Sequence, residues 1–173
     1  MSRSITVTIQ PDNNPTGTQY QIERSKDQTF FTGTQVVRSW STQRSYIDSV
    51  PEGFKFFYRA KAKDADGDES NWSNVVTVVS PLADGVLRVT AHTTTTLTIA
   101  WDAVPEAKEY TLKRDAIQVY KGPLLTFQDT GLSPGTDYTY TLISSNDFGP
   151  SAPVDFVGKT DLEPPKIEGS LNP

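Results

Sequence analysis

Two stretches of this chain repeat at a fixed distance, and that spacing constrains the fold more than any other feature. Val50-Pro-Glu-Gly-Phe-Lys-Phe-Phe-Tyr58, running on to Asp64-Ala-Asp-Gly67, matches Leu132-Ser-Pro-Gly-Thr-Asp-Tyr-Thr-Tyr140, running on to Asn146-Asp-Phe-Gly149, at an offset of 82 residues. A second block, Thr6–Pro15 with Tyr20, matches Thr96–Pro105 with Tyr110 at an offset of 90. One supersecondary unit is therefore present twice. The fall from 90 to 82 places eight extra residues in the first copy, between Ser25 and Ile47.

The units are built from strands. Ile5, Val7 and Ile9 alternate with polar residues, as do Phe56, Tyr58, Ala60 and Ala62, then Leu97, Ile99 and Trp101, then Tyr138, Tyr140 and Leu142. Period-two alternation is the mark of a sheet with one buried face. No window carries a sustained helical period. Turn residues cut the runs at short intervals, as at Pro11–Pro15, Lys121-Gly-Pro123 and Ser133-Pro-Gly135. Many short strands so punctuated predict an all-β sandwich or barrel. With 173 residues, the expected domains are 1–80 and 81–160, with 161–173 as a linker or the opening strand of a further domain.

Composition narrows function. A net charge of −5 argues against nucleic acid, which calls for clustered lysine and arginine. No apolar run approaches the 20 or so residues of a membrane span. Without cysteine there are no disulfides, and cysteine usage reports no compartment. Ser2-Arg-Ser4 leads straight into Ile5-Thr-Val-Thr-Ile9, so no signal peptide is expected in this stretch, and Met1 reads as the start of an excised fragment.

At these residues the chain resembles the fibronectin type III family. Leu97-Thr-Ile-Ala-Trp101 is similar to its second strand with the core tryptophan, and Tyr110-Thr-Leu112 to its third. Leu132-Ser-Pro-Gly-Thr-Asp-Tyr138 is similar to its tyrosine corner, and Asn146–Ser151 to its F–G turn. The resemblance implies two tandem immunoglobulin-like β-sandwiches with strand order A-B-C-C′-E-F-G. It implies structural roles for Trp101, Tyr110, Leu132 and Tyr138, and places Trp72 near the F–G turn. The first repeat departs from the pattern. Pro11 stands at the core tryptophan's site, with Trp40 or Trp72 as candidates to fill that volume. Phe56 replaces the corner tyrosine, and the first strand is missing. The tail Pro164–Pro173 resembles the opening of a further unit. Set ahead of Met1, it puts Pro165 seventeen residues before Ile9, where Pro81 stands eighteen before Ile99. It reads either as a chain that stops just inside the next domain or as a strand donated head-to-tail to another molecule.

Candidate chemistry is sparse. The single histidine, His92, reads as a solvated loop residue beside Thr93–Thr96. No nucleophile elbow, phosphate loop or zinc motif occurs, so the chain is read as no enzyme. Asp64, Asp66 and Asp68 offer hard oxygen ligands suited to calcium, weighed against a plain Asp-Gly hairpin turn. Ser70-Asn-Trp-Ser73 resembles half of the cytokine-receptor Trp-Ser-x-Trp-Ser box and contains a formal glycosylation sequon. Those receptors' cysteines are absent, which argues against that reading. Phe30, Phe31 and Trp40 form an aromatic cluster on the lengthened middle hairpin, read as core cover or as a binding surface for a glycan or protein ligand. The expected role is a spacer or adhesion module of a larger bacterial cell-surface, secreted or phage-tail protein, extracellular and joined to neighbouring domains. The alternative is a carbohydrate- or protein-binding accessory module using the Phe30–Trp40 hairpin.

Overall fold

The computed structural model describes residues 2–11 and 13–168, and every described element is a strand. The chain divides into two compact units. One runs up to Ala83 and includes 146–150; the other runs from Asp84 to Ser145 and from Ser151 onward.

In the first unit β1 (Ser2–Thr8) pairs antiparallel with β4 (Ser45–Pro51) as a two-stranded sheet. The facing sheet has the order β3 (Gln35–Ser41), β2 (Gln19–Ser25), β5 (Lys55–Lys63), β6 (Val76–Val79). Strand parity decides what the sheets bury. Ile22, Val50, Phe56 and Tyr58 form the core, with Ile5, Val7, Ile9, Val37 and Tyr46 packed on it. Arg59, Lys61 and Lys63, of opposite parity on β5, face away.

In the second unit β7 (Leu87–His92), β8 (Thr96–Trp101) and β11 (Thr126–Thr130) form a three-stranded sheet in the order β11-β8-β7. The facing sheet places β10 (Ile117–Gly122) beside β9 (Glu109–Arg114) and β9 beside β12 (Asp137–Asn146). β12 also carries β13 (Gly149–Pro150) and β14 (Val154–Lys159). Trp101 is 1% exposed, and its ring lies 5.8 Å from those of Tyr110 and Tyr120. Leu97, Ile99, Leu112, Tyr140 and Leu142 complete the core.

Most of the extra residues of the first copy lie in one connection. Residues 26–34 join β2 to β3, where Asp115-Ala116 alone join β9 to β10. Both of those turn residues have positive φ, 47° and 70°, the two-residue hairpin geometry that matches strand twist. Among the described residues nothing pairs with the second edge of β1, whereas β7 pairs with the matching edge of β8.

Candidate functional site

The most deeply buried polar chemistry occurs twice. In the first unit Tyr58 Oη donates to Asp48 Oδ2 at 2.9 Å, and Arg24 Nη1 donates to the same oxygen at 2.8 Å. In the second, Tyr140 Oη donates to Asp129 Oδ2 at 2.8 Å and Arg114 Nη1 to Asp129 Oδ1 at 2.7 Å. Each arginine also lies over the aromatic ring two residues before its tyrosine, Arg24 over Phe56 at 5.3 Å and Arg114 over Tyr138 at 5.7 Å. Burial raises both tyrosine pKa values above the ordinary range, and the hydrogen bond to a carboxylate raises them further. A neutral tyrosine locked to a paired carboxylate is neither a general base nor a nucleophile at neutral pH. The triad ties the two sheets together, since Asp48 and Asp129 lie on one sheet and their partners on the other. Sequence reasoning missed it. The signal was there, because Arg114 follows Arg24 by 90 residues and Tyr140 follows Tyr58 by 82.

The resemblance's structural residues lie in the second unit. Tyr110 Oη accepts from the Val104 N–H at 2.9 Å, and Tyr138 Oη accepts from the Ser133 N–H at 2.8 Å, closing the corner beside buried Leu132. At the matching corner of the first unit Phe56 has no hydroxyl, and Pro51 stands where Ser133 supplies its N–H. Both partners are gone together, so neither is left unsatisfied.

The place of Trp101 is taken in the first unit by Ile9 and not by Pro11: Ile5 pairs with Asp48 as Leu97 does with Asp129, and the Ile9 N–H donates to Arg44 O as the Trp101 N–H does to Leu125 O. Neither Trp40 nor Trp72 fills the volume that the smaller Ile9 leaves. Both lie on the outer face of the four-stranded sheet, because the β5 residues they meet are those that face away from the core. Lys63 Nζ sits 4.4 Å and Lys61 Nζ 5.4 Å from the Trp40 ring centroid. Lys61 reaches Trp72 at 5.0 Å, and the Arg59 guanidinium lies 4.1 Å from Trp72 and 4.2 Å from Phe30. The result is a cation–π ladder, Phe30–Arg59–Trp72–Lys61–Trp40–Lys63. Arg59 is also fixed by Glu23, and Lys61 by Glu69. Ser70-Asn-Trp-Ser73 holds the ladder in place with no need of cysteine. The Ser70 and Ser73 hydroxyls accept from the Ala62 and Ala60 N–H groups at 2.9 and 3.0 Å.

The aromatic cluster is split by this arrangement. Phe30 is buried under Arg59, while Phe31 beside it is 90% exposed. Asp27 organises their loop, accepting from the N–H groups of Thr29, Phe31 and Thr32. Those bonds favour its charged form, and its pKa falls to about 2. Phe30 itself sits at φ 57°, a strained setting for a residue with a Cβ.

Asp64 turns inward on its own loop, its Oδ1 accepting from the N–H groups of Asp66, Gly67 and Asp68 at 2.9–3.0 Å. Among the described residues no three or more histidine, cysteine or acidic side chains gather closely enough to hold a metal. His92 ends β7, exposed, with Nδ1 2.8 Å from Asp161 Oδ1. No described helix is long and apolar enough to cross a membrane.

A two-domain fibronectin type III segment of chicken tenascin matches this structure with a TM-score of 0.63 over 91% of this chain and 92% of the segment, at 15% identity. The fold is a tandem of fibronectin type III domains. No family model matches the sequence. Exoglucanase B of Cellulomonas fimi is 30% identical over 164 residues, which cover 81% of this chain and 15% of that protein. Chitinase A1 of Niallia circulans is 30% identical over 129 residues, 65% of this chain and 18% of that protein. The type III pair thus spans a small part of either relative.

Proposed function

We propose that this type III pair is a non-catalytic spacer and accessory module of a larger bacterial enzyme that acts on polysaccharide. The duplicated triad is the observation that carries the reading. The buried Tyr–Asp–Arg groups of both units are spent on joining sheet to sheet, which suits a mechanical element. The relatives supply the context, an exoglucanase and a chitinase of which matching segments are a minor share. Polymeric substrates are too large to enter a cell, so such a module works outside it. Incubated with soluble and insoluble glucan and chitin, the chain should release no reducing ends and sediment with neither polymer. Hydrolysis would overturn the reading.

The exposed Phe31 favours a second reading, a ligand surface on the first unit. A rigid loop that displays an aromatic side chain loses little entropy on binding. A glycan array with the parent, Phe31→Ala and Trp40→Ala separates the two. A spacer gives no signal in any, whereas a binding module gives a parent signal that Phe31→Ala abolishes.

A further inference from the structure

The first unit carries an open groove of about 380 Å³ between β1 and β6. Thr6–Gln10 form one wall, Asn74, Val76 and Val78 the other, and Ile22, Tyr58 and Ala60 the floor. The core is therefore partly open there. Ile5 and Val7 are only half-buried, while their counterparts Leu97 and Ile99 are 0% exposed.

The second unit shows what belongs in that groove. There β7 pairs with β8, Leu87 opposite Trp101 and Val89 opposite Ile99. Val89 also packs against β14, where a Cβ on Gly158 would come within 3.2 Å of both Val89 and Leu97. Gly158 stands opposite Tyr138 as Val78 stands opposite Phe56, so Val78 marks the same place in the first unit. Upstream, Gly85 lies so close to Leu142 that a Cβ would meet its Cδ2 at 2.5 Å. Leu142 corresponds to Ala60 of the groove floor. Among the described residues no strand occupies the place in the first unit that β7 and the segment leading into it fill in the second.

We propose that residues 165–173 of a second copy occupy it. Pro165, Gly169 and Leu171 follow Pro81, Gly85 and Leu87 at a single offset of 84, and Glu168 follows Asp84. Laid in the groove on that register, Gly169 meets Ala60, Leu171 stands opposite Ile9, and Pro173 opposite Val7. Asp161 is still bonded to Thr93 and Gly135, and beyond Leu162 residues 163–168 are exposed, with Ile167 at 95%. An unpaired edge over an open apolar core is a template for strand addition, with backbone bonds giving affinity and side-chain seats giving register. The contact joins the tail of one molecule to the head of the next. It is heterologous and builds a series of oligomers rather than a closed dimer.

Sedimentation velocity over a dilution series of the full chain tests this. Expected are species larger than monomer at high concentration, lost on deleting 164–173 and lost in Val76→Arg, which fills the groove from a half-exposed site. A synthetic peptide of residues 164–173 should bind the truncated chain one to one. It should also slow exchange of the Thr8 and Gln10 amides, which face the open edge, by about tenfold or more. Binding without that slowing would place the peptide elsewhere and overturn the proposal. A full chain that stays monomeric, or a truncated chain that associates equally, would do the same.

Discussion

The first unit and the second are the same machine closed to different degrees. Both pin their sheets together with a buried Tyr–Asp–Arg triad. They differ around it. The second fills its core from the β8 side with Trp101, its ring tilted against those of Tyr110 and Tyr120, and covers β8 with β7. The first has Ile9 at that site, leaves the flank of β1 open, and places its own tryptophans outside on a ladder of cations. Centre and periphery thus vary independently: the triad recurs intact while strand number, loop length and aromatic placement change.

The largest expected effect is at the core position that differs. Trp101→Ala should cost the second unit about 3–5 kcal/mol. Ile9→Ala at the matched site, which is only half-buried, should cost less, about 1–2 kcal/mol. Strand-resolved hydrogen exchange reads each unit separately, which a single melting curve for two domains does not. Equal losses would mean that Ile9 holds core as Trp101 does.

Next come the triads. Asp48→Ala and Asp129→Ala each strand a buried guanidinium and a tyrosine hydroxyl, at about 3–5 kcal/mol. The loss should be larger at Asp48, because Arg24 is the more buried arginine, with 15% of its side chain exposed against 27% for Arg114. The pH dependence follows from the raised tyrosine pKa values. The folded state holds the phenol proton more tightly than the unfolded chain does. The triad's contribution is therefore complete below the ordinary tyrosine pKa of about 10 and lost as pH rises beyond it. Alkaline unfolding followed by circular dichroism should move to higher pH in Tyr58→Phe with Tyr140→Phe, measured against each protein's own stability at neutral pH.

The corner sharpens the contrast. Tyr138→Phe leaves the Ser133 N–H without its partner and should cost about 1–2 kcal/mol. Phe56→Tyr should not gain that amount, because Pro51 has no N–H to give and the new hydroxyl would be buried unpaired. A stabilising Phe56→Tyr would show that the corner can be rebuilt.

The smallest effects lie outside the core. Trp40→Ala should cost about 1–2 kcal/mol, the scale of its contacts with Lys61 and Lys63. The depressed Asp27 pKa makes the Phe31 loop an acid-sensitive element. Its order is complete above the ordinary aspartate range and fades as pH falls through about 2, which amide chemical shifts of Phe31 and Thr32 would follow.

The fold was legible in the sequence because strand alternation and turn residues are local, and because the 82- and 90-residue offsets made each copy a check on the other. The position of Trp40 was not. Hydrophobicity alone assigns a tryptophan to the core, whereas the register shifts between β2 and β3 and the lysines of β5, distant in sequence, set its real face. The triad was hidden because its members lie on three strands spread from Arg24 to Tyr58, and no local pattern joins them. Ser70–Ser73 was discounted for want of cysteine, although its hydroxyls need only the backbone of β5.

Backbone exchange in the chain truncated after Glu163 tests the contrast most directly, since no tail is then present to fill the groove. Amides of β8 should exchange far more slowly than those of the matched segment Ser4–Ile9, while the two triad tyrosines' strands, β5 and β12, are protected alike. Equal protection of β8 and Ser4–Ile9 would contradict an open first unit.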